Sequence, residues 1–174
     1  TALKLLNSYF FNLFGGVTTI RGSLCGGTGQ ASQNLDLGNR ISHDPLDHYN
    51  SRAMILWARN PVSTNISLVP IIKEIRRKGG QIISIDPFRT KTAALADRHI
   101  APSPGKDVFL AMAVAKRVLE QNKEDRDFLE NHTKGFAEFL TIIGAYTVDN
   151  LCLRAGVSEE DVEYLTRTIV TCSP

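Results

Sequence analysis

Two short segments hold the residues best suited to binding a ligand, and they lie about thirty residues apart in this 174-residue chain. The first is Ala58-Arg59-Asn60-Pro61-Val62-Ser63-Thr64-Asn65, directly after the apolar run Ala53–Trp57. The second is Asp86-Pro87-Phe88-Arg89-Thr90, directly after Gln81-Ile82-Ile83-Ser84-Ile85. A strand that runs through a loop into a helix leaves backbone N–H groups without intrahelical partners, which suits a phosphate or diphosphate. An acid that ends the next strand can accept hydrogen bonds from ribose hydroxyls, and Arg89 adds charge nearby. A third segment, Pro104-Gly105-Lys106-Asp107, puts a glycine turn and an acid at the start of the longest helical pattern. Asp107 reads as the cap of that helix, a role worth about 1 kcal/mol. Its carboxylate can also accept two N–H donors from the N1 and N2 edge of guanine. The bland alternative stays open at this point: Asn60-Pro61 and Asp86-Pro87 are also sequences that simply end strands in turns.

Other motifs argue by their gaps. No G-x-G-x-x-G follows a strand, which disfavours the ordinary dinucleotide fingerprint. The stretch Gly22–Gly29 superficially looks like a phosphate loop but has no Lys before Thr28. His43-Asp44-Pro45-Leu46-Asp47-His48 reads as a solvated turn, since no further His or Cys stands at a spacing that would complete a zinc set. Cys25, Cys152 and Cys172 are odd in number and widely separated, with no C-x-x-C pair, so neither a disulfide framework nor a cluster-binding set is expected. Cys152 and Cys172 sit in apolar helical stretches and read as small buried hydrophobes.

The elements that must position these loops follow from periodicity. Residues 2–14 place apolar groups at helical spacing and stop at Gly15-Gly16. Val17 to Ile20 reads as a short strand, followed by a Gly-rich turn and a polar segment through Gly38, and residues 40–51 read as a loop. Residues 53–57 form a continuous apolar run, as in a strand buried on both faces. Val69, Ile72, Ile75 and Arg76 share a helical stripe that ends at Gly79-Gly80, with Ser67 as its cap and Pro70 tolerated in the first turn. Residues 81–85 are the next strand, 92–97 a short helix and 99–102 a third short strand. Residues 107–121 form a helix whose Val108, Met112, Ala115 and Leu119 line one face. Beyond 122 only helices follow, at 125–132, 135–145, 148–155 and 158–172, the last opened by the capping box Ser158-Glu159-Glu160-Asp161. This rhythm predicts a three-layer, Rossmann-like α/β fold: a parallel sheet with helices on both faces and a helical C-terminal extension. The expected division is a cofactor-binding core at 1–122 and an extension of the same domain at 123–174.

Composition bounds the rest. Hydrophobic residues are 43% and charged residues 22%, the balance of an ordinary globular chain. A net charge of +2 leaves no electrostatic footprint for nucleic acid. No apolar run approaches the length of a membrane span. A start on Thr1 and a stop at Ser173-Pro174 suggest an excised piece, and the sequence leaves the compartment open.

Taken in order, several pieces resemble the molybdopterin oxidoreductases, the family of formate dehydrogenases, nitrate reductases and dimethyl-sulfoxide reductases. They are Leu56-Trp57-Ala58-Arg59-Asn60-Pro61, Leu68-Val69-Pro70, Gly79 to Thr90, Ala96-Asp97 and Pro104-Gly105-Lys106-Asp107. Asp127-Phe128, His132 to Phe136 and Gly156-Val157-Ser158 continue the likeness, which covers nearly the whole chain. The resemblance implies a domain that grips the guanosine diphosphate end of one molybdopterin guanine dinucleotide in a molybdenum or tungsten enzyme. Asn60 and Ser63 would lie against the diphosphate, Asp86 and Arg89 near the ribose, and Gly105 with Asp107 at the guanine. The family often has Gly at the place of Ala58 and Arg at the place of Phe88. Cys25 stands where the family's metal ligand falls, in a Gly-rich turn where a lowered thiol pKa would suit a soft ligand, and would be both the metal ligand and the catalytic residue; a structural cysteine is the alternative. The parent's iron–sulfur cluster, a second pterin-binding domain and any electron-transfer subunits would lie outside this chain, as would much of the site for its small-molecule substrate, so the isolated piece is expected to be inactive. Two rivals are a metal-free relative, like the large peripheral subunit of NADH dehydrogenase, and a free-standing nucleotide-binding module.

Overall fold

Strand pairing in the computed structural model starts from the two β-rich runs. The structure describes residues 2–18 and 26–172. β1 (Ala53–Trp57) pairs in parallel with β2 (Gln81–Ile85), Ala53 opposite Gln81 and Trp57 opposite Ile85. β3 (Arg98–Ile100) pairs in parallel with the other side of β2, giving the order β1-β2-β3. The chain divides into two compact units, Thr1–His43 and Asp44–Pro174, and the sheet belongs to the second.

Because side chains alternate along a strand, each face of the sheet takes its own helices. Met54, Leu56 and Ile82 are buried against Ile71, Ile72 and Ile75 of α4 (Leu68–Arg77). Ile83, Ile85 and Ile100 face the other way. They are buried with Leu110, Ala113 and Val114 of α5 (Asp107–Glu120), Leu151 and Cys152 of α8 (Val148–Ala155), and Val162 and Leu165 of α9 (Glu159–Cys172). Each fully buried Ile or Leu stabilises the fold by about 1.5–3 kcal/mol. The three-layer α/β architecture expected from the sequence is therefore present. Two shorter helices, α6 (Arg126–His132) and α7 (Phe136–Gly144), lie between α5 and α8 in the chain.

Ion pairs and a cap join α9 to the sheet. Ser158 Oγ accepts from the Asp161 N–H at 3.1 Å, the serine half of the expected capping box, and donates to the Asp161 carboxylate at 2.8 Å. Asp161 also meets the Arg98 guanidinium at 2.7 Å, and this partner raises the arginine's pKa. Asp125 caps α6 through the Phe128 N–H at 2.9 Å. Burial pushes the Cys152 thiol pKa up, with Glu159 adding to the shift, so it behaves as a hydrophobe. Cys172 is only partly buried, contrary to expectation, because it lies in the last turn of α9.

Several elements differ from the sequence reading. In α5 the buried face is Leu110, Ala113 and Val114, whereas Val108 is 57% exposed; helices α8 and α9 cover α5 and shift the buried stripe. Residues 17–18 adopt no strand, and the remainder of the expected 17–20 strand lies outside the described residues. The polar segment before Gly38 contains α2 (Gly27–Leu37), which Gly38 ends in a left-handed conformation, while the expected α1 (Ala2–Phe14) is present. Within the expected 40–51 loop, Pro45–Asn50 forms a 3-10 helix capped by Asp44, whose carboxylate accepts the Leu46 N–H at 2.9 Å. The helix expected at 92–97 shrinks to a 3-10 turn, Ala93–Leu95. The third strand runs one residue earlier and stops at Ile100. Ser67 stands at the cap position before α4 but its side chain makes no cap hydrogen bond.

Candidate functional site

The register of the sheet decides which loops share an edge. Since Trp57 lies opposite Ile85, the chain leaves both strands at the same carboxyl end. The ladder continues one step beyond each strand: the Ala58 N–H donates to the Ile85 carbonyl at 2.8 Å, and the Asp86 N–H to the Ile100 carbonyl at 3.1 Å. Asn60 and Asp86 therefore sit at one edge, in the loops that leave two neighbouring strands. Asp107 joins them through the Trp57 indole, whose Nε1–H donates to Asp107 Oδ1 at 2.8 Å. Cys25, the candidate metal ligand, lies outside the described residues.

Each loop has a local reason for its shape. Ala58 turns the chain off β1 with φ at +50°, the left-handed region that disfavours a Cβ. This accounts for a preference for glycine at that place. Asn60 starts α3 (Pro61–Thr64), its carbonyl accepting the N–H groups of Ser63 and Thr64 at 3.0 Å each. Pro61 suits the first helical position because no N–H is needed there. The Asn60 side chain is held by Thr92, whose hydroxyl donates to Asn60 Oδ1 and accepts the Val62 N–H at 3.3 Å. Thr92 is fully buried, so this contact fixes the first loop from beneath. Ser63 is exposed.

In the second loop Asp86 Oδ1 accepts the Phe88 N–H at 2.8 Å, closing an Asx turn. The Asp86 carbonyl lies 2.8 Å from His99 Nε2, which ties the loop to β3. Arg59, Arg89 and Lys91 are all exposed around these turns, and none forms an ion pair among the described residues. In the third loop Gly105 has φ +74°, so its backbone conformation, rather than space, calls for glycine. The Ser103 N–H donates to the Ala155 carbonyl at 2.8 Å, and the Lys106 N–H donates to the Ser103 carbonyl at 3.0 Å.

Asp107 departs from its expected role as helix cap. Lys106 occupies the cap position, no side chain caps α5, and Asp107 is the first helical residue with its carboxylate turned to Trp57. The uncapped start of α5 still favours an anion nearby. Sequence reasoning missed Thr92 and Trp57, the two side chains that hold Asn60 and Asp107. A hydroxyl or an indole gives no periodic signal of a partner 32 or 50 residues away.

Cavities are present as well. One of about 440 Å³ lies at the amino end of the strands and is lined by Tyr49, Arg52, Lys78, Gly80 and Thr171. Another of about 390 Å³ is apolar, between Trp57, Val118, Leu119, Leu129, Phe136 and Phe139. The carboxyl edge presents an open surface with two acids, an amide and three cations, suited to an elongated, anionic, hydrogen-bonding ligand. Among the described residues no cluster of three or more His, Cys, Asp or Glu could hold a metal ion, and no single helix is long and apolar enough to cross a membrane.

Comparison with known proteins places the chain in a family. The family description "Molybdopterin oxidoreductase" matches residues 2–158. The chain is 39% identical over 163 residues to the "Probable oxidoreductase YyaE" of Bacillus subtilis, covering 94% of this chain and 24% of that protein. It is 36% identical over 144 residues to the "Dimethyl sulfoxide/trimethylamine N-oxide reductase" of Rhodobacter capsulatus, covering 73% of this chain and 17% of that protein. Acetylene hydratase from Pelobacter acetylenicus shares the fold, with a TM-score of 0.74 at 22% identity over 86% of this chain and 20% of that one. The chain thus spans about a quarter of the length of the first relatives it matches.

Proposed function

This chain belongs to the molybdopterin oxidoreductase family, and we propose that it forms, within a larger enzyme, the surface gripping the guanosine diphosphate end of one molybdopterin guanine dinucleotide. The observation that carries this reading is the convergence of the three loops at one sheet edge, with the Trp57–Asp107 hydrogen bond joining the first to the third. In an open parallel sheet, ligands bind beyond the carboxyl ends of the strands. The donor set fits the group. Asn60 and Ser63 would meet the diphosphate, with α3 and its loop offering backbone N–H groups. Asp86 and Arg89 would hold the ribose end, and Asp107, presented by the turn at Gly105, would accept from guanine. The exposed Arg59 and Lys91 add positive charge for the diphosphate.

When bound, the cofactor with its molybdenum or tungsten supplies two-electron redox chemistry. The residues of this chain bind and orient the nucleotide end. Cys25 is proposed as the protein ligand to the metal, on the strength of the family likeness. Iron–sulfur clusters and electron-transfer subunits are expected in the remainder of such an enzyme.

Asp107→Ala in the intact enzyme tests the assignment. Loss of a charge-assisted hydrogen bond to guanine is expected to weaken cofactor retention at least about tenfold. The measurement is the guanine nucleotide released per polypeptide after dialysis and denaturation. Full nucleotide content in that variant would remove Asp107 from the site.

A further inference from the structure

We propose that Trp57 is a positioning residue for nucleotide recognition, holding the Asp107 carboxylate where a guanine can reach it. The inference rests on the guanine reading of Asp107 and adds to it the group that makes that reading work. Two facts carry it. The Trp57 Nε1–H donates to Asp107 Oδ1 at 2.8 Å across 50 residues of sequence, and among the described residues it is the one side chain hydrogen-bonded to that carboxylate. The indole itself is packed against the core shared by α5, α8 and α9.

An indole has one N–H and no acceptor, so it cannot compete for the ligand's donors. A carboxylate has about four lone-pair sites, and Trp57 occupies one of them on Oδ1. The rest of Oδ1 and all of Oδ2 stay available to a ligand with two adjacent N–H groups. Without that tether the Asp107 side chain could rotate back and accept from the uncapped amides in the first turn of its own helix. Its acceptors would then be spent on the backbone. Trp57 is also the last residue of β1, whose next residues lead to Asn60. One side chain therefore links the diphosphate loop to the acid that reads the base. Pre-organising a binding group in this way raises affinity by removing the cost of ordering it at the moment of binding.

The test is a double-mutant cycle in the intact enzyme, with Trp57→Phe, Asp107→Ala and the double variant. The readouts are guanine nucleotide retained after dialysis, its rate of release, and the unfolding temperature. Trp57→Phe is expected to raise the release rate about tenfold, the effect of one hydrogen bond to a charged group. Asp107→Ala should do at least as much, and the double variant should be no worse than Asp107→Ala, because Trp57 acts through Asp107. Additive losses, or unchanged release in Trp57→Phe, would overturn the positioning role while leaving the guanine assignment intact. Unchanged release in Asp107→Ala would instead overturn the guanine assignment. If Trp57→Phe fails to fold, replacing Trp57 by its benzothienyl isostere keeps the ring shape and removes only the N–H. Unchanged release in that protein would likewise refute the proposal, and faster release would support it.

Discussion

The two ends of the sheet solve opposite problems. At the amino end the backbone closes tightly: the Gln81 N–H donates to the Arg52 carbonyl at 2.9 Å, and Gly80 leaves no room for a side chain. A Cβ on Gly80 would lie 2.6 Å from Ile75 Cγ2 and 3.0 Å from the Arg52 and Ile75 carbonyl oxygens. At the carboxyl end the loops open, with exposed cations and an alanine in a left-handed conformation. A cavity of about 440 Å³ nevertheless lies at the closed end. Concavity and the polar groups of the loops are separate properties, and the amino-end cavity shares no residue with the three carboxyl-edge loops.

Three substitutions sharpen that contrast. Gly80→Ala should cost the most stability, about 3 kcal/mol from overpacking, or roughly 6–12 °C in Tm. Nucleotide retention measured well below that Tm should be unchanged. A parallel loss of retention would mean the two ends are not independent. Thr92→Val keeps the shape but removes the hydroxyl that bridges Asn60 and the Val62 N–H. Stability should fall by about 1–3 kcal/mol, and nucleotide release should quicken because the first loop loses its support. If thermal denaturation shows no loss, the Thr92–Asn60 contact does not hold that loop. Ala58→Gly should have the smallest effect. Relief of the left-handed strain, about 1 kcal/mol or more, is set against the greater freedom of glycine in the unfolded chain, leaving a gain of at most about 1 kcal/mol. A clear drop in Tm would contradict the backbone geometry at that turn.

The strands were legible because Met54–Trp57 is a short apolar run and Ile82–Ile85 is rich in β-branched residues, with turn residues following each. The helices after residue 122 were legible from their spacing, and the last of them also from its cap Ser158. α2 escaped because Gly27-Thr28-Gly29-Gln30 and the polar residues after it have neither helical propensity nor an apolar stripe. The buried face of α5 was misread because periodicity reveals a stripe but not which neighbours will cover it. At the site, Asn60 and Asp86 could be placed at one edge from strand order alone. Thr92 and Trp57 could not, since their partners come from distant parts of the chain and obey no local rule. Asp107 fell between these cases: its position at a helix start was readable, but its bond to Trp57 displaced the expected cap.

The turn between α8 and α9 has a consequence for the order in which the protein matures. Gly156, at φ +72°, packs so closely on Ser103 that an added Cβ would fall 2.3 Å from the serine hydroxyl, and the neighbouring Ala155 carbonyl takes the Ser103 N–H. A growing polypeptide presents residues 58–107 to solvent before residues 155–156 have been synthesised. Contacts between such distant positions form late, because a long loop must close first. The turn at Gly105 thus gains its last support only when the α8–α9 corner docks, and until then the edge stays unfinished. A nascent chain would therefore complete this sheet edge only at the end of its folding.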